Sequence, residues 1–173
     1  MAAQFNPTDQ ELVERYLYNF VHGNPLPTED DVLIADLYGD DNWKNFFEFF
    51  EKNTLYFFTE LKQKSETDHR IRREARRGTW RGEQGPQVIN DAEGNTIGSK
   101  RNFSFMPRDG SVSWIMHEYR STGGDMNVLC RIEKRNRNQS TAAIDEEAVS
   151  RMMMELENDI RGGGEGEGGH REP

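Results

Sequence analysis

Six arginines between residues 70 and 81 are the densest group of basic side chains in the sequence (Arg70, Arg72, Arg73, Arg76, Arg77, Arg81). Glu74 is the only acid among them, so the segment carries a net charge of +5 in a chain whose net charge is −9. A guanidinium group can hold phosphate oxygens, or guanine O6 and N7, through paired hydrogen bonds. The cluster therefore indicates contact with a polyanion; a solvated basic loop or a localisation signal would also explain it.

No other residues have the spacing of a catalytic or metal site. Cys130 is the only cysteine, which excludes an internal disulfide and a thiolate zinc cluster and is typical of a reducing compartment such as the cytosol or nucleus. His117 precedes Glu118, but no second histidine follows at the spacing of a helical zinc motif. Strand alternation also places these two residues on opposite faces. We expect a non-enzyme with no cofactor, no metal and no small-molecule substrate.

Length and composition are typical of one folded domain followed by a polar tail. Of the 173 residues, 34% are hydrophobic and 10% aromatic, which is sufficient for a core. No apolar run approaches the roughly 20 residues of a membrane span, so we expect no membrane partner. The first residues lack the basic and apolar stretches of a secretory signal.

Hydrophobic periodicity predicts helices first and strands afterwards. Thr8 and Glu11 have the spacing of a capping box, and an apolar stripe with helical period follows as far as Phe20. Four aromatic residues share one face of a second short helix, predicted over residues 43–50. Alternation then predicts strands over residues 55–58, 88–89, 96–106, 112–120 and 127–133, with turn residues between the later ones. This order predicts the α+β class, with an antiparallel meander after the helical part.

The sequence changes character after Asn136. We expect a folded domain over residues 1–136 and an acidic, Gly- and Glu-rich tail over 137–173. An amphipathic, Met-rich helix is predicted at 144–160 within this tail. It either docks on its own domain or recruits a partner, and its composition is also typical of a short activation or repression segment.

Five blocks of sequence occur in the order found in one known family. Their family patterns are F-H-P-T-D-E-E-L, D-L-Y, Y-F-F, W-I-M-H-E-Y-R and V-L-C-R-I. The matching segments here are FNPTDQEL (5–12), DLY (36–38), YFF (56–58), WIMHEYR (114–120) and VLCRI (128–132). Over about residues 5–136 the chain therefore resembles the NAC domain, a plant-specific transcription-factor domain.

The resemblance implies a twisted antiparallel β-sheet flanked by a few N-terminal helices. It implies a nuclear, sequence-specific DNA-binding transcription regulator that inserts a β-strand edge into the major groove of double-stranded DNA, typically at a CGT-type core. It also implies a homodimer, or a heterodimer with other NAC proteins, built from the N-terminal segment.

The same resemblance assigns the DNA-contacting residues. Arg70 and Arg73 match the family's R-x-x-R element, which grips phosphate. The family strand W-K-A-T-G is here W-R-G-E-Q, residues 80–84, and Lys100-Arg101 matches a lysine pair on the next strand. The predicted DNA contacts are Arg70, Arg72, Arg73, Arg76, Arg77, Thr79, Trp80, Arg81, Gly82, Glu83, Lys100 and Arg101.

The DNA-contacting strand departs from the family pattern at two positions. Gly82 stands where the family has alanine, and a glycine loosens a strand edge. Glu83 stands where it has threonine, and its carboxylate either accepts a hydrogen bond from cytosine or is repelled by phosphates. With the additional arginines of the segment, these changes favour a nonspecific grip on the DNA backbone.

The dimer interface is predicted at Gln4, Phe5, Pro7 and Glu11. Gln4 occupies the position of a family arginine, so the ion pair that this arginine would form with the glutamate of the other subunit cannot form here. We expect a weakened homodimer or a preference for heterodimers. The alternative function is an interaction module that forms heterodimers with other NAC proteins, modulates them and binds DNA weakly by itself.

Overall fold

The computed structural model describes residues 4–75, 78–107, 112–136 and 151–157. The chain divides into two units, Met1–Arg135 and Asn136–Pro173. In the second unit, residues 151–157 are helical and all their side chains are exposed; the remainder of the helix predicted at 144–160 lies outside the described residues. Within the described ranges, no helix has the length and apolar character needed to cross a membrane.

The first unit begins with a continuous helical segment. It comprises α1 (Asp9–Glu11), a π-helical section (Leu12–Leu17) and α2 (Tyr18–Val21). The Thr8 hydroxyl accepts a hydrogen bond from the Glu11 amide at 3.2 Å, so the N-cap half of the predicted capping box forms. The Glu11 carboxylate accepts from the Thr8 hydroxyl rather than from the Thr8 amide. The π section was not predicted. Its buried side chains recur every four residues. A π-helical turn is wider than an α-helical turn and keeps residues at this spacing on one face (Leu12, Val13, Tyr16, Leu17).

Eight strands of the described residues form one sheet, in the order β1-β2-β8-β7-β6-β4-β3, with β5 paired to β6. The strands are β1 (Val32–Ile34), β2 (Thr54–Glu60), β3 (Glu74–Ala75), β4 (Gly78–Gly82), β5 (Gln87–Asn90), β6 (Thr96–Pro107), β7 (Val112–Ser121) and β8 (Asn127–Asn136). β1 runs parallel to β2, whereas the β2–β8, β3–β4, β4–β6, β5–β6 and β6–β7 pairs are antiparallel. The predicted α+β fold with an antiparallel sheet is confirmed. The short strands β1 and β3 were missed, and β4 ends at Gly82, two residues before the end of the strand predicted over 80–84.

Each face of the sheet packs against a different helical element. On one face, α3 (Trp43–Phe50) contributes Trp43 and Phe47 to an aromatic core that includes Trp80, Phe105 and Trp114. On the other face, the N-terminal helical segment packs on a second cluster. The members of this cluster that belong to the sheet are Val32, Tyr56, Phe58, Ile89, Tyr119 and Leu129. The sheet is therefore buried on both sides over its centre.

Strand β6 supports two shorter strands along the same edge. Its first part pairs with β5, from Gln87 opposite Lys100 to Asn90 opposite Thr96, and its second part pairs with β4, from Gly82 opposite Phe103 to Gly78 opposite Pro107. The β5–β6 register shifts between Ile89 and Asn90. The arginine-bearing strand β4 is thus held by β6 alone on its inner side.

Candidate nucleic-acid interface

Trp80 anchors β4 on the sheet. Its side chain is 2% exposed, and its ring centroid lies 5.5 Å from that of Trp43 and 5.0 Å from that of Phe105. Its indole N–H donates to the Leu37 carbonyl at 3.2 Å. Because the ring is fixed by packing and by this hydrogen bond, the backbone on either side of it is held in place.

The neighbours of Trp80 point to the opposite face. Side chains alternate along a strand, so Thr79 and Arg81 lie on the face away from the aromatic core, and both are exposed. Arg81 is paired in register with Ser104 of β6. Glu83 directly follows the end of β4, is also exposed, and donates from its amide to the Asn102 carbonyl at 3.1 Å.

Gly82 and Arg101 lie together on the face of the aromatic core. Gly82 ends β4 opposite Phe103, and a Cβ atom built on it would lie 2.5 Å from Nη2 and 3.0 Å from Cζ of Arg101. The Arg101 guanidinium carbon is 4.9 Å from the Phe103 ring centroid, and the side chain is exposed. Gly82 is thus a paired strand residue with a guanidinium lying over it.

Arg70 is held at the surface by an acid two residues before it in the chain. Its guanidinium bonds the Asp68 carboxylate at 2.8 Å, and its side chain remains 76% exposed. The hydrogen bonds from Arg70 lower the pKa of Asp68 to about 2. Arg72 is exposed as well, and its amide donates to the Lys62 carbonyl at 2.7 Å. Arg76 and Arg77 lie outside the described residues.

Arg73 points inward instead. Its guanidinium donates to both carboxylate oxygens of Glu118 and, at 2.6 Å, to the Tyr38 hydroxyl. That hydroxyl in turn donates to Glu118 at 2.8 Å. The Arg73 side chain is 15% exposed and that of Glu118 is 1% exposed. Arg73 was predicted to grip phosphate together with Arg70, but both its terminal nitrogens donate to internal acceptors.

The buried environment of the Arg73–Glu118 ion pair, called the inner pair below, shifts the pKa values of Arg73 and of Tyr38. Burial opposes the charge on Arg73, but the hydrogen bond and the nearby charge of Glu118 outweigh it and raise the pKa of the guanidinium. Burial raises the pKa of the Tyr38 hydroxyl well above its ordinary value. The Arg73 guanidinium carbon also lies 4.3 Å from the Phe103 ring centroid, a cation–π contact. Arg73 therefore stays charged while Tyr38 stays neutral.

Lys100 is turned toward the N-terminal helical segment. Its ammonium lies 3.3 Å from the Asp9 carboxylate, which also accepts a hydrogen bond from the Tyr119 hydroxyl at 2.6 Å. Burial opposes ionisation of Asp9, but the Tyr119 hydrogen bond and the Lys100 charge outweigh it and lower its pKa. Since Lys100 and Arg101 are adjacent strand residues, they lie on opposite faces, and only Arg101 is exposed.

The predicted interface residues surround the start of the chain's first helix. Gln4 is exposed, and Phe5 packs edge-on against Tyr16 and Tyr56, with ring centroids 5.4 and 4.8 Å apart. Pro7 is half-buried, and Glu11 is engaged by Thr8 in the capping box. Their role in dimerisation stays a prediction.

Sequence reasoning missed the partners of Arg73. Tyr38 and Glu118 are 35 and 45 residues away from it in the chain, so no local spacing connects them. One signal was available. Alternation along β7 places Glu118 on the same face as Trp114 and Met116, where a carboxylate requires a cation.

Known proteins resemble this chain along most of its length. Residues 1–121 match the family described as No apical meristem (NAM) protein. The chain is 33% identical over 167 residues to NAC domain-containing protein 68 of Oryza sativa subsp. japonica, covering 85% of this chain and 52% of that relative. It is 31% identical over 164 residues to NAC transcription factor 25 of Arabidopsis thaliana (79% and 50%), and 30% identical over 176 residues to NAC transcription factor 29 of the same plant (91% and 65%). The chain spans about half the length of the relatives it matches.

Proposed function

The chain belongs to the NAM family of NAC-domain proteins, and from this premise we propose that it is a nuclear plant transcription regulator that grips duplex DNA with the β4 edge. The observation that supports this most strongly is the exposed guanidinium of Arg81 next to a tryptophan fixed in the core. Because Trp80 holds β4 in place, the outward guanidinium of Arg81 is presented in a fixed position, which suits binding in the negatively charged groove of DNA.

Electrostatics supply the driving force of this proposal. Each phosphate that a guanidinium neutralises releases condensed counterions, so affinity falls steeply as salt rises. Arg72, exposed upstream of β4, adds positive charge to the same part of the chain, whereas the charge of Arg70 is offset by Asp68. A major groove about 12 Å wide admits a two-stranded β-ribbon. The β3–β4 pair ends the sheet, with two residue pairs in register, and is the part of the sheet that would approach the groove.

Fluorescence anisotropy with a labelled duplex, measured from 50 to 200 mM salt, tests the proposal. Arg81→Gln should lower the slope of log affinity against log salt by about 1. Arg15→Gln is the matched control, because Arg15 is an exposed arginine on the N-terminal helical segment. A flat salt dependence of the wild-type protein, or equal slopes for Arg81→Gln and wild type, would refute the proposal.

A second candidate function is an interaction module that forms heterodimers with other NAC proteins and binds DNA weakly by itself. Glu83 favours it, because this exposed carboxylate lies two residues after Arg81 in the chain and repels phosphate. Glu83→Gln should then strengthen DNA binding. Gel shifts on a duplex with a CGT core, with and without a full-length NAC protein, separate the candidates. A shifted band that needs the second protein supports the module.

Dimerisation through Gln4, Phe5, Pro7 and Glu11 is part of both candidates. We expect a weak homodimer, because Gln4 cannot pair ionically with Glu11 of a second copy. Surface ion pairs contribute only about 0–1 kcal/mol, so burial of Phe5 is the larger contribution. Sedimentation velocity that finds a tight homodimer at low micromolar concentration would contradict this expectation.

A further inference from the structure

A hairpin-like loop leads into the arginine segment and carries an exposed serine near its tip. Gln63 and Ile71 form an isolated antiparallel bridge, and the Lys64 amide donates to the Arg70 carbonyl at 2.9 Å. Beyond these contacts, Ser65 is exposed and lies outside any helix or strand. Local unfolding of the tip breaks only hydrogen bonds that water can replace, so another protein can reach this serine at little cost.

The Ser65 hydroxyl contacts the acid that holds Arg70. Its oxygen accepts a hydrogen bond from the Asp68 amide at 2.9 Å, and the Asp68 carboxylate accepts one from the Arg70 guanidinium at 2.8 Å. A phosphate carries a charge of about −1.5 to −2 and three acceptor oxygens. If it were attached to the Ser65 oxygen, it would lie beside Asp68 and compete with that carboxylate for Arg70.

Acidic residues follow Ser65 at two positions in the chain. Glu66 is one residue after it and exposed, and Asp68 is three residues after it. Carboxylates at these positions complement a kinase whose substrate groove is basic. Thr67 is the other hydroxyl of the tip, 3.3 Å from that of Ser65, but it has Arg70 at its third following position, which such a groove repels. Ser65 is therefore the better acceptor.

We propose that Ser65 is a phosphorylation site for an acid-directed protein kinase, and that its phosphate takes Arg70 from Asp68 and weakens DNA binding. In the transfer, the Ser65 oxygen attacks the γ-phosphorus of ATP and the bond from that phosphorus to the bridging oxygen breaks. ADP leaves with the electron pair, and the hydroxyl proton passes to a base of the kinase. The effect on DNA rests on the proposed DNA-binding function, whereas the modification itself does not.

The charge of the loop sets the sign of the effect. Residues 64–72 contain three basic and two acidic side chains, a net charge of +1 with His69 neutral. A phosphate changes this charge to roughly −1. Arg72 is four residues after Asp68, at most about 14 Å along the chain. The Debye length is about 10 Å at 0.1 M salt and longer below it, so the phosphate opposes DNA binding most strongly at low salt.

Incubation of the full chain with ATP and a purified kinase of the casein kinase type, followed by tandem mass spectrometry, tests the site. Phosphate is expected at Ser65. Ser65→Ala should lose it, and Thr67→Ala, the matched control in the same tip, should keep it. Glu66→Gln should lower the kcat/KM of the kinase about fivefold. Absence of phosphate at Ser65, or an equal kcat/KM for Glu66→Gln and wild type, would overturn the assignment.

Fluorescence anisotropy then compares duplex binding by the phosphorylated and unmodified proteins. Affinity should fall about tenfold at 50 mM salt and less at 200 mM. The control is phosphoserine introduced in place of Thr122, whose amide donates to the Ile97 carbonyl, far along β6 from the residues 103–107 that pair with β4. This control adds the same charge and should change affinity less than about twofold. Equal losses for the two proteins would refute a local effect.

Carboxyl NMR decides the inference if the unmodified protein does not bind duplex DNA at 50 mM salt, the result by which the proposed function fails. The pKa of Asp68, about 2 beside Arg70, should rise once the phosphate takes the guanidinium. The Arg70 Nε resonance should also shift as the phosphate titrates near pH 6. An unchanged pKa of Asp68, or an Arg70 resonance that ignores this titration, would overturn the transfer of Arg70 to the phosphate.

Discussion

Arg70 and Arg73 stand three residues apart in one basic segment, and each binds a carboxylate. The Arg70–Asp68 pair is local in sequence and exposed to solvent, whereas the Arg73–Glu118 pair joins segments 45 residues apart and is almost fully buried. Water screens the first pair, and an apolar environment strengthens the second. The same residue type is therefore a surface charge at one position and part of the core at the other.

The difference arises from what lies across the sheet. Arg73 precedes β3, next to a face that already contains Phe103, Tyr38 and the carboxylate of Glu118. Arg70 has an acid two residues before it, and that acid is sufficient to fix its position. Charge density along the sequence consequently overstates the charge that the folded segment offers to DNA.

The largest expected effect comes from breaking the inner pair. Arg73→Ala should lower the free energy of unfolding by about 3–5 kcal/mol, because it leaves the Glu118 carboxylate buried without a cation. Arg70→Ala is the matched control and should leave it unchanged. Urea denaturation followed by circular dichroism measures both. Equal stability of the two variants would refute the comparison.

Removing the hydrogen bond that holds the Tyr38 segment should have the next largest effect. Trp80→Phe leaves the Leu37 carbonyl without its donor, so it should lower the free energy of unfolding by about 1–3 kcal/mol more than Trp43→Phe. Trp43 is the control because its buried indole N–H has no hydrogen-bond partner within the described residues. Thermal or urea unfolding of both variants provides the measurement, and a smaller loss for Trp80→Phe would contradict the assigned role.

His117 extends the comparison to the other face of the sheet. Burial and the positive charges of Arg131 and Lys100 lower the pKa of His117 from 6.5 to about 4, although the negative charges of Glu133 and Asp9 act in the opposite direction. The His117 Nδ1 lies 2.6 Å from the side-chain oxygen of Asn102. Between these pH values the unfolded chain binds a proton that the folded protein does not. Stability should therefore fall by roughly 1–3 kcal/mol as pH drops from 6.5 to 4.

The control for this pH dependence is His117→Gln, which has no imidazole to protonate. Its free energy of unfolding should change less over the same interval, apart from the contribution of carboxylates near the lower limit. Identical pH profiles for the variant and the wild type would show that His117 titrates normally in the folded protein.

The smallest expected effect on stability comes from breaking the exposed Arg70–Asp68 pair. Asp68→Asn should not measurably change the free energy of unfolding, because ion pairs at the surface contribute little. The pair should instead be visible by carboxyl NMR: Asp68 should titrate near pH 2, and Arg70→Ala should return its pKa toward the ordinary value of 3.8. A midpoint near 3.8 in the wild-type protein would show that Arg70 does not hold Asp68.

Local pattern was sufficient to predict the two helical stretches and the strands β2 and β5 to β8; β4 was predicted only through the family resemblance, and β1 and β3 were missed. Alternation around Trp80 sends every second side chain to solvent, and the aromatic stripe of residues 43–50 indicated the core. The capping box of Thr8 and Glu11 was predictable for the same reason, since all its partners lie within one turn.

Contacts between residues far apart in the chain could not be predicted from local sequence pattern. Arg73 was grouped with Arg70 because the motif is local, whereas its acceptors are set by the register of β6 with β7. Lys100 was grouped with Arg101, although its acid, Asp9, is 91 residues earlier. Gly82 was expected to loosen the edge, and the Arg101 side chain that lies over it comes from a different strand.

The register shift between Ile89 and Asn90 has a consequence for how the domain tolerates insertions. A one-residue slip of β6 would exchange the faces of Lys100 and Arg101, since strand side chains alternate. The irregularity lies where β5 meets β6, before the stretch of β6 that pairs with β4. An added residue in the Asp91–Asn95 turn can be absorbed there as a bulge, so the stretch of β6 that pairs with β4 keeps its register.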